Sequence, residues 1–415
     1  MIQKWVLLIT VLLAFGIAPV FAQTTDNPLL QMLARIPDSP SAREYLTYVD
    51  YRALIAARPG APVITSSQQL AALVDSKSKD GRLVMAALYG LKSGPTFFAN
   101  AVLPAGSKSQ EVVGFDLFAI QRAAEFGKPP DLGDVLEGDF DAQAVTAAHE
   151  KRGYTATDVN GLTLLCPAAG CDSGLQLDMS QINNANPFGG NIGRNQPVLV
   201  GDKLIASAPT SDTINAIASA TAGKSPTLAE QVDYHAAAEA ISANGTLIQT
   251  YFINPMDIGS ASNDILNSRL SPDQIKTRMS QLQADFVPMP AYNLIALADS
   301  ATDSEQQAMV ALVYTTQADA QAAAALFPKH LQDYKSLAIQ KPMNEVLQDR
   351  GVTAVEASVY PASTNRYVTV VRLHAPLPSN AIPANETMPQ ASSLVYTLLV
   401  RAYMSRDLGW LATQF

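Results

Sequence analysis

Short apolar-rich runs over Leu46–Tyr51, Val135–Phe140, Val198–Val200, Leu204–Ser207 and Thr246–Ile253, and alternating apolar and polar residues over Tyr154–Val159 and Leu162–Leu165, predict strands. The period lengthens over Arg52–Arg58, Ser67–Val74, Arg82–Tyr89, Asp212–Ala222 and Leu228–Ser242, which predict helices. Val112–Phe115 reads as a strand, followed by Asp116 as N-cap of a helix through Phe126 and by Gly127 as its stop. Asp141 reads as the cap of a helix over Ala142–Arg152, and Asn160-Gly161 as a tight hairpin turn. The local unit is therefore β-α-β-β.

The second half repeats this grammar. Tyr292–Ala298 and Met309–Tyr314 predict strands, Asp319–Leu337 a helix interrupted at Pro328, and Ala354–Tyr360 with Tyr367–Leu373 a hairpin. The expected fold is α+β, with two related lobes of repeated β-α-β-β units and mostly antiparallel sheets carrying helices on one face. The expected division is a signal segment over 1–22, an N-terminal lobe over 23–259, a linker and helix over 260–288, a C-terminal lobe over 289–390, and a final helix over 391–415.

The first residues change the picture of location. Lys4, an apolar run from Val6 to Ile17, Pro19, and Val20-Phe21-Ala22 have the layout of a secretory signal peptide with a cleavage site. The alternative is a retained anchor, and membrane contact is expected only in that case. No later segment is long and apolar enough to span a bilayer; Ser393–Val400 is too short and is followed at once by Arg401. The expected location is the periplasm, the cell surface or the medium.

Cys166 and Cys171 are the only two cysteines. In an exported chain that spacing invites a disulfide, which Pro167 and Gly170 favour by turning the chain between the sulfurs. A redox pair would have the shorter C-x-x-C spacing, and a metal site would need more ligands than two sulfurs. With 28 basic and 37 acidic residues, a net charge of -9 excludes a broad electrostatic grip on nucleic acid.

Candidate chemistry is sparse. The four histidines, His149, His235, His330 and His374, are far apart in sequence and form no H-E-x-x-H motif. His149 reads as a favourable charge in the last turn of its helix. Glu137, Asp139 and Asp141 could share a strand face like the carboxylates of a glycosidase, but capping and turn roles account for the last two. Gly223-Lys224-Ser225 lacks the earlier glycine of a P-loop, and no dinucleotide-binding fingerprint occurs. No cofactor and no metal are expected. The segment Asp172–Gln196 has no sustained period and is the candidate binding loop. Asn183, Asn184 and Asn186 would supply amide groups, Phe188 a flat apolar face and Arg194 a fork of donors, suited to a glycan or a peptide. The plainer reading is a connecting loop.

The run from Val135 to Leu165, with its GDFD cap and NG hairpin, resembles a segment of uncharacterised exported bacterial envelope proteins. So does Leu199–Ile253, with LVGDKLIAS and SPTLAEQVDY. The resemblance covers roughly the first mature half. It implies an α+β envelope protein, often anchored, and carries no catalytic residues to transfer; relatives that are lipoproteins have a lipidated cysteine that this chain lacks. The expected function is thus an exported, non-catalytic binding or envelope-organising protein, with a glycan, a peptide or an envelope protein as partner. The alternatives are an extracytoplasmic hydrolase whose catalytic set is dispersed in sequence, and a solute-binding protein with a cleft between its lobes.

Overall fold

Leu46 and Tyr48 point to one side of their strand and Thr47 and Val49 to the other, and all four are buried. A strand covered on both sides needs packing layers on both sides, and that requirement shapes the whole molecule. The computed structural model describes residues 27–95, 106–258, 260–266, 268, 270–381 and 389–414. The expected signal segment over 1–22 lies outside the described residues.

The first half of the chain begins with α1 (Pro28–Leu33), α2 (Pro40–Glu44), β1 (Tyr45–Asp50), α3 (Tyr51–Ala56), α4 (Ser67–Asp75), α5 (Lys79–Tyr89) and α6 (Gly106–Val113). It continues with β2 (Ile120–Phe126), β3 (Gly133–Gly138), α7 (Ala142–Lys151), β4 (Thr155–Val159), β5 (Leu162–Cys166), β6 (Val198–Gly201) and β7 (Leu204–Ser207). Two helices, α8 (Ser211–Thr221) and α9 (Val232–Ser242), lead into the second half. That half holds β8 (Thr246–Ile253), α10 (Ala261–Leu266), α11 (Pro272–Asp285), β9 (Leu294–Ala301) and β10 (Glu305–Tyr314). It ends with α12 (Gln317–Asp333), α13 (Met343–Asp349), β11 (Ala354–Pro361), β12 (Tyr367–Pro376) and α14 (Leu394–Met404).

All twelve strands join one antiparallel sheet in the order β11-β12-β10-β9-β8-β1-β2-β3-β7-β6-β5-β4. Each half follows the same route. A meander (β1-β2-β3, or β8-β9-β10) leads into a helix, α7 or α12, and the chain returns through strands whose last member pairs with the end of the meander. The first half returns through four strands and the second through two. The halves meet where β1 pairs with β8, in a register that sets Tyr45 opposite Ile253 and Val49 opposite Gln249.

The expected α+β class and antiparallel pairing are found, but the helices occupy both faces. On one face a continuous core runs across both halves and joins Leu46, Tyr48, Phe252 and Met309 to Leu29 of α1, Ile214 of α8 and Ala237 of α9. The opposite face carries two cores. One sets Val49, Leu136 and Val200 against Val84 of α5 and Val145 of α7. The other sets Leu297, Val310 and Val371 against Phe327 of α12 and Tyr396 of α14. The physical reason lies in strands such as β3 and β9, which are buried along their full length and leave no side for water.

A second difference concerns Asp116. It does cap a helix, but only the single 3-10 turn Leu117–Ala119, accepting from the Phe118 N–H at 2.8 Å and from Ser67 N–H at 2.9 Å. The following residues form β2 instead of a helix, because a place between β1 and β3 satisfies their backbone groups on both edges. Val112 and Val113, expected in a strand, end α6. The final helix stops at Met404, and a 3-10 turn at Gly409–Leu411 buries Trp410 against Phe327.

The hairpin between β4 and β5 turns as expected: Asn160 and Gly161 have φ of 59° and 82°, the left-handed pair that a two-residue turn demands. The disulfide Cys166–Cys171, with Cα atoms 4.8 Å apart, closes the end of β5 onto the loop that follows. So short a ring removes little freedom from the unfolded chain. The double change Cys166→Ser with Cys171→Ser should cost about 2 kcal/mol in urea unfolding and leave the fold intact. Loss of the cooperative transition would mean that the bridge holds more than this loop.

Candidate functional site

Helix α9 ends at Ser242, and Gly245, at φ 99°, turns the chain into β8. Beside that turn lies a cleft of about 400 Å³. Its walls come from both halves: Asn27 and Leu29 at the start of α1, Tyr48 and Asp50 of β1, Thr246 and Leu247 of β8, and Tyr360 of β11, with Glu239 and Ser242 of α9 above.

Four polar side chains of the cleft, Asn27, Asp50, Glu239 and Ser242, are held by hydrogen bonds of their own. The Asn27 Oδ1 caps α1, accepting from the Leu29 and Leu30 N–H groups at 3.1 and 3.2 Å, and accepts from Ser242 Oγ at 3.2 Å. Asp50 caps α3 through the Ala53 N–H at 2.8 Å. Burial raises its pKa above the ordinary carboxylate value, while the Ala53 N–H and the Arg122 guanidinium, 3.7 Å away, pull it back. Arg122 is shared with Glu137, at 3.4 Å, and Glu137 also meets Arg35 at 2.6 Å. Glu239 accepts from the Ser363 N–H at 2.9 Å and the Ser363 hydroxyl at 2.7 Å, with His235 Nε2 at 3.6 Å. The lining includes these two carboxylates and no lysine, arginine or histidine.

The acidic run near β3 does not converge. Glu137 joins the network behind Asp50, Asp139 faces Arg52 and Gln121, and Asp141 caps α7.

The candidate loop at 172–196 folds as a series of 3-10 turns held by its own backbone bonds. Asn183 and Asn184 are exposed, and Asn183 Oδ1 accepts from the Ala185 N–H at 3.0 Å. Asn186 is buried and accepts from the Phe188 N–H at 3.2 Å, while Arg194 is half-buried. Phe188 belongs to the core, 1% exposed, with its ring near those of Phe115 and His149. It therefore presents no face to a ligand, and the five residues do not form one surface.

His149 also differs from its expected role as a charge at a helix end. It is fully buried, its Nδ1 lies 2.9 Å from the Val145 carbonyl, and Tyr154 packs edge-on against the ring. Burial lowers its pKa to about 4, so the ring is neutral. The Nδ1 atoms of His235 and His330 address the carbonyls of Ala229 and Trp410, and that of His374 addresses Glu305. Among the described residues, no group of three or more His, Cys, Asp or Glu could hold a metal ion, and no helix is long and apolar enough to cross a membrane.

Several further acids are buried, among them Asp134, whose pKa burial raises well above the ordinary value, Asp299 and Asp264. Asp299 accepts from the Ser393 hydroxyl and from Gln249 Nε2 at 3.1 Å, and burial pushes its pKa up to about 7. Burial raises Asp264 to about 7 as well, against the nearby Arg406.

No protein-family model matches the chain, and no curated protein sequence matches it. A solved structure described as crystal form I of TP0453 is similar over 90% of this chain and 97% of its own, at 8% identity and a TM-score of 0.34. A likeness that distant carries neither topology nor function across.

The neutral His149 sets one pH response. Between its ordinary value of 6.5 and about 4, the unfolded chain takes up a proton that the folded chain refuses. Stability therefore falls as pH drops through that window, by at most about 3 kcal/mol. Asp299, Asp264, Asp134 and Asp50, which burial raises, act in the opposite direction, so the variant must be compared with its parent. In urea unfolding, acidification from pH 6.5 to 4 should cost His149→Phe less stability, or gain it more, than the parent; an unchanged slope would show that the ring is charged in the folded chain.

Proposed function

We propose that this chain is an exported, non-catalytic binding protein that holds a small ligand in the cleft between the two halves of its sheet. The observation that carries this reading is the origin of the walls. Residues of α1 and β1 line the cleft together with residues of β8 and β11, so a ligand there would touch both halves at once. Asn27, Asp50 and Glu239 are held in place before any ligand arrives, which reduces the ordering cost of binding.

The hydrolase reading fits the same residues less well. The Ser363 hydroxyl and His235 Nε2 both address Glu239 Oε1, at 2.7 and 3.6 Å. In a nucleophilic set the imidazole stands between hydroxyl and carboxylate, where it can take the proton. Here the Ser363 hydroxyl donates to the carboxylate itself. The Cys166–Cys171 bridge is compatible with an oxidising compartment and supports export.

Two measurements test the proposal. Expression of the full chain followed by fractionation should place a form lacking Met1–Ala22 outside the cytoplasm, with both cysteines oxidised. A cytoplasmic, reduced chain with its N-terminus intact would refute export. A mixed library of cationic, neutral and anionic small molecules should contain ligands that raise the melting temperature by several degrees and shift the amide resonances of Thr246 and Leu247. Failure of every class to do so, or turnover that a single polar-to-Ala change abolishes, would refute the binding role.

A further inference from the structure

We infer that the ligand of this cleft is a small organic cation, an amine or guanidine with an apolar or aromatic portion; this rests on the binding role just proposed. Three independent features of the walls favour positive charge. The first is the carboxylate pair. The charges behind Asp50 are balanced, because Arg35 and Arg122 offset Glu137 and Asp50 in one alternating chain. Glu239 meets no arginine or lysine: its contacts are the Ser363 N–H and hydroxyl, and the His235 ring, whose Nε2 at 3.6 Å offsets the carboxylate only when the ring is protonated. It is the side chain in the lining whose charge no guanidinium or ammonium offsets in the contacts described here.

The second feature is the direction of α9. Its last residue, Ser242, and the capping Ala243 form part of the wall, so the helix presents its C-terminal end to the cleft. That end carries partial negative charge from carbonyl groups with no helical partner. The third is the ring of Tyr360. It is half-buried on the β11 side and offers aromatic surface to which a cation is attracted and on which an apolar chain can rest, above a floor that the core residue Tyr48 closes. An anion would meet the reverse of all three features. A neutral polyol could use the hydrogen-bonding groups but would gain nothing from the charge of Glu239.

The volume of about 400 Å³ lies within the range of small-molecule sites and is too small for a folded partner. Cadaverine, spermidine and phenethylamine are suitable probes, with 1,5-pentanediol as the neutral match and glutarate as the anionic one. Isothermal titration at low ionic strength on the oxidised chain should show binding of at least one amine, with the diol and diacid far weaker. Affinity should fall as salt is raised.

Glu239→Gln keeps the hydrogen bonds to Ser363 and should weaken amine binding on the order of tenfold. Asp50→Asn keeps the α3 cap and should weaken it less, because Arg122 already offsets that charge. Asp139→Asn, which removes an exposed carboxylate away from the cleft, should leave it unchanged. Equal loss in all three variants would mean that amines respond only to net charge, and the inference would fall. It would fall equally if no amine bound, or if the diol or diacid bound as tightly. Binding of a neutral or anionic ligand that shifts Thr246 and Leu247 would overturn the cation while leaving the binding role standing. If a variant fails to fold, the same two resonances in the parent chain, titrated with amine and with diol, still decide the question.

Discussion

The ladder between β1 and β8 is the constraint on which the rest of the molecule depends. β1 is the first strand of the chain, yet it lies in the middle of the sheet, bonded to β2 on one side and to β8 on the other. Without that pairing each half would have a bare sheet edge at its centre, a row of unsatisfied N–H and C=O groups. With it, the two meanders become one surface, and a single core on one face can run beneath α1, α8 and α9 across both halves. The cleft follows from the same junction, because the end of α9, the start of β8 and residues of its neighbour β1 all line it.

Buried polar groups reinforce that junction at specific points. Gln249 of β8 accepts from the N–H groups of Lys92 and Ser93 at 2.9 and 3.1 Å, and donates to the Gly90 carbonyl and to Asp299 of β9. Ser393, just before α14, closes the set by donating to Asp299, and Tyr396 of α14 hydrogen-bonds with Ser93. One side chain thus fastens the segment after α5, the second meander and the final helix to each other. Asp407 has a similar role near the C-terminus, accepting from Tyr334, Ser336 and the N–H groups of Leu337 and Ala338. Each of these acceptors is occupied by donors that belong to the fold.

Much of the element pattern was legible in the chain because its signals are local. Asp141, Gly153 and Asn160-Gly161 mark the bounds of α7 and the β4–β5 hairpin, and the structure places those elements there. The stretch after Asp116 misled because its cap is real while the helix is one turn long. What overrides it is a pair of neighbouring strands more than fifty residues earlier and a few residues later, information that no local window contains. His149 misled for a related reason: its place in the last turn of α7 is correct, but Tyr154 and Phe188 fold over it and remove the water its charge would need.

The candidate site was the least legible part. Asn183, Asn184, Asn186, Phe188 and Arg194 were legible as a stretch without period, but backbone turns and core packing consume the middle of it. Asp50 and Glu239 carry no motif: one ends a strand, the other lies within a helix, and 189 positions separate them. By themselves, the order and spacing of the residues determined the strand and helix content, the turns, the local cysteine bridge and the acidic charge, since each depends on neighbours within a few bonds or on simple totals. Only the tertiary structure decided that two meanders form one sheet, that helices cover both its faces and that two distant carboxylates share a cleft, because those outcomes depend on which surfaces meet once the chain has closed on itself.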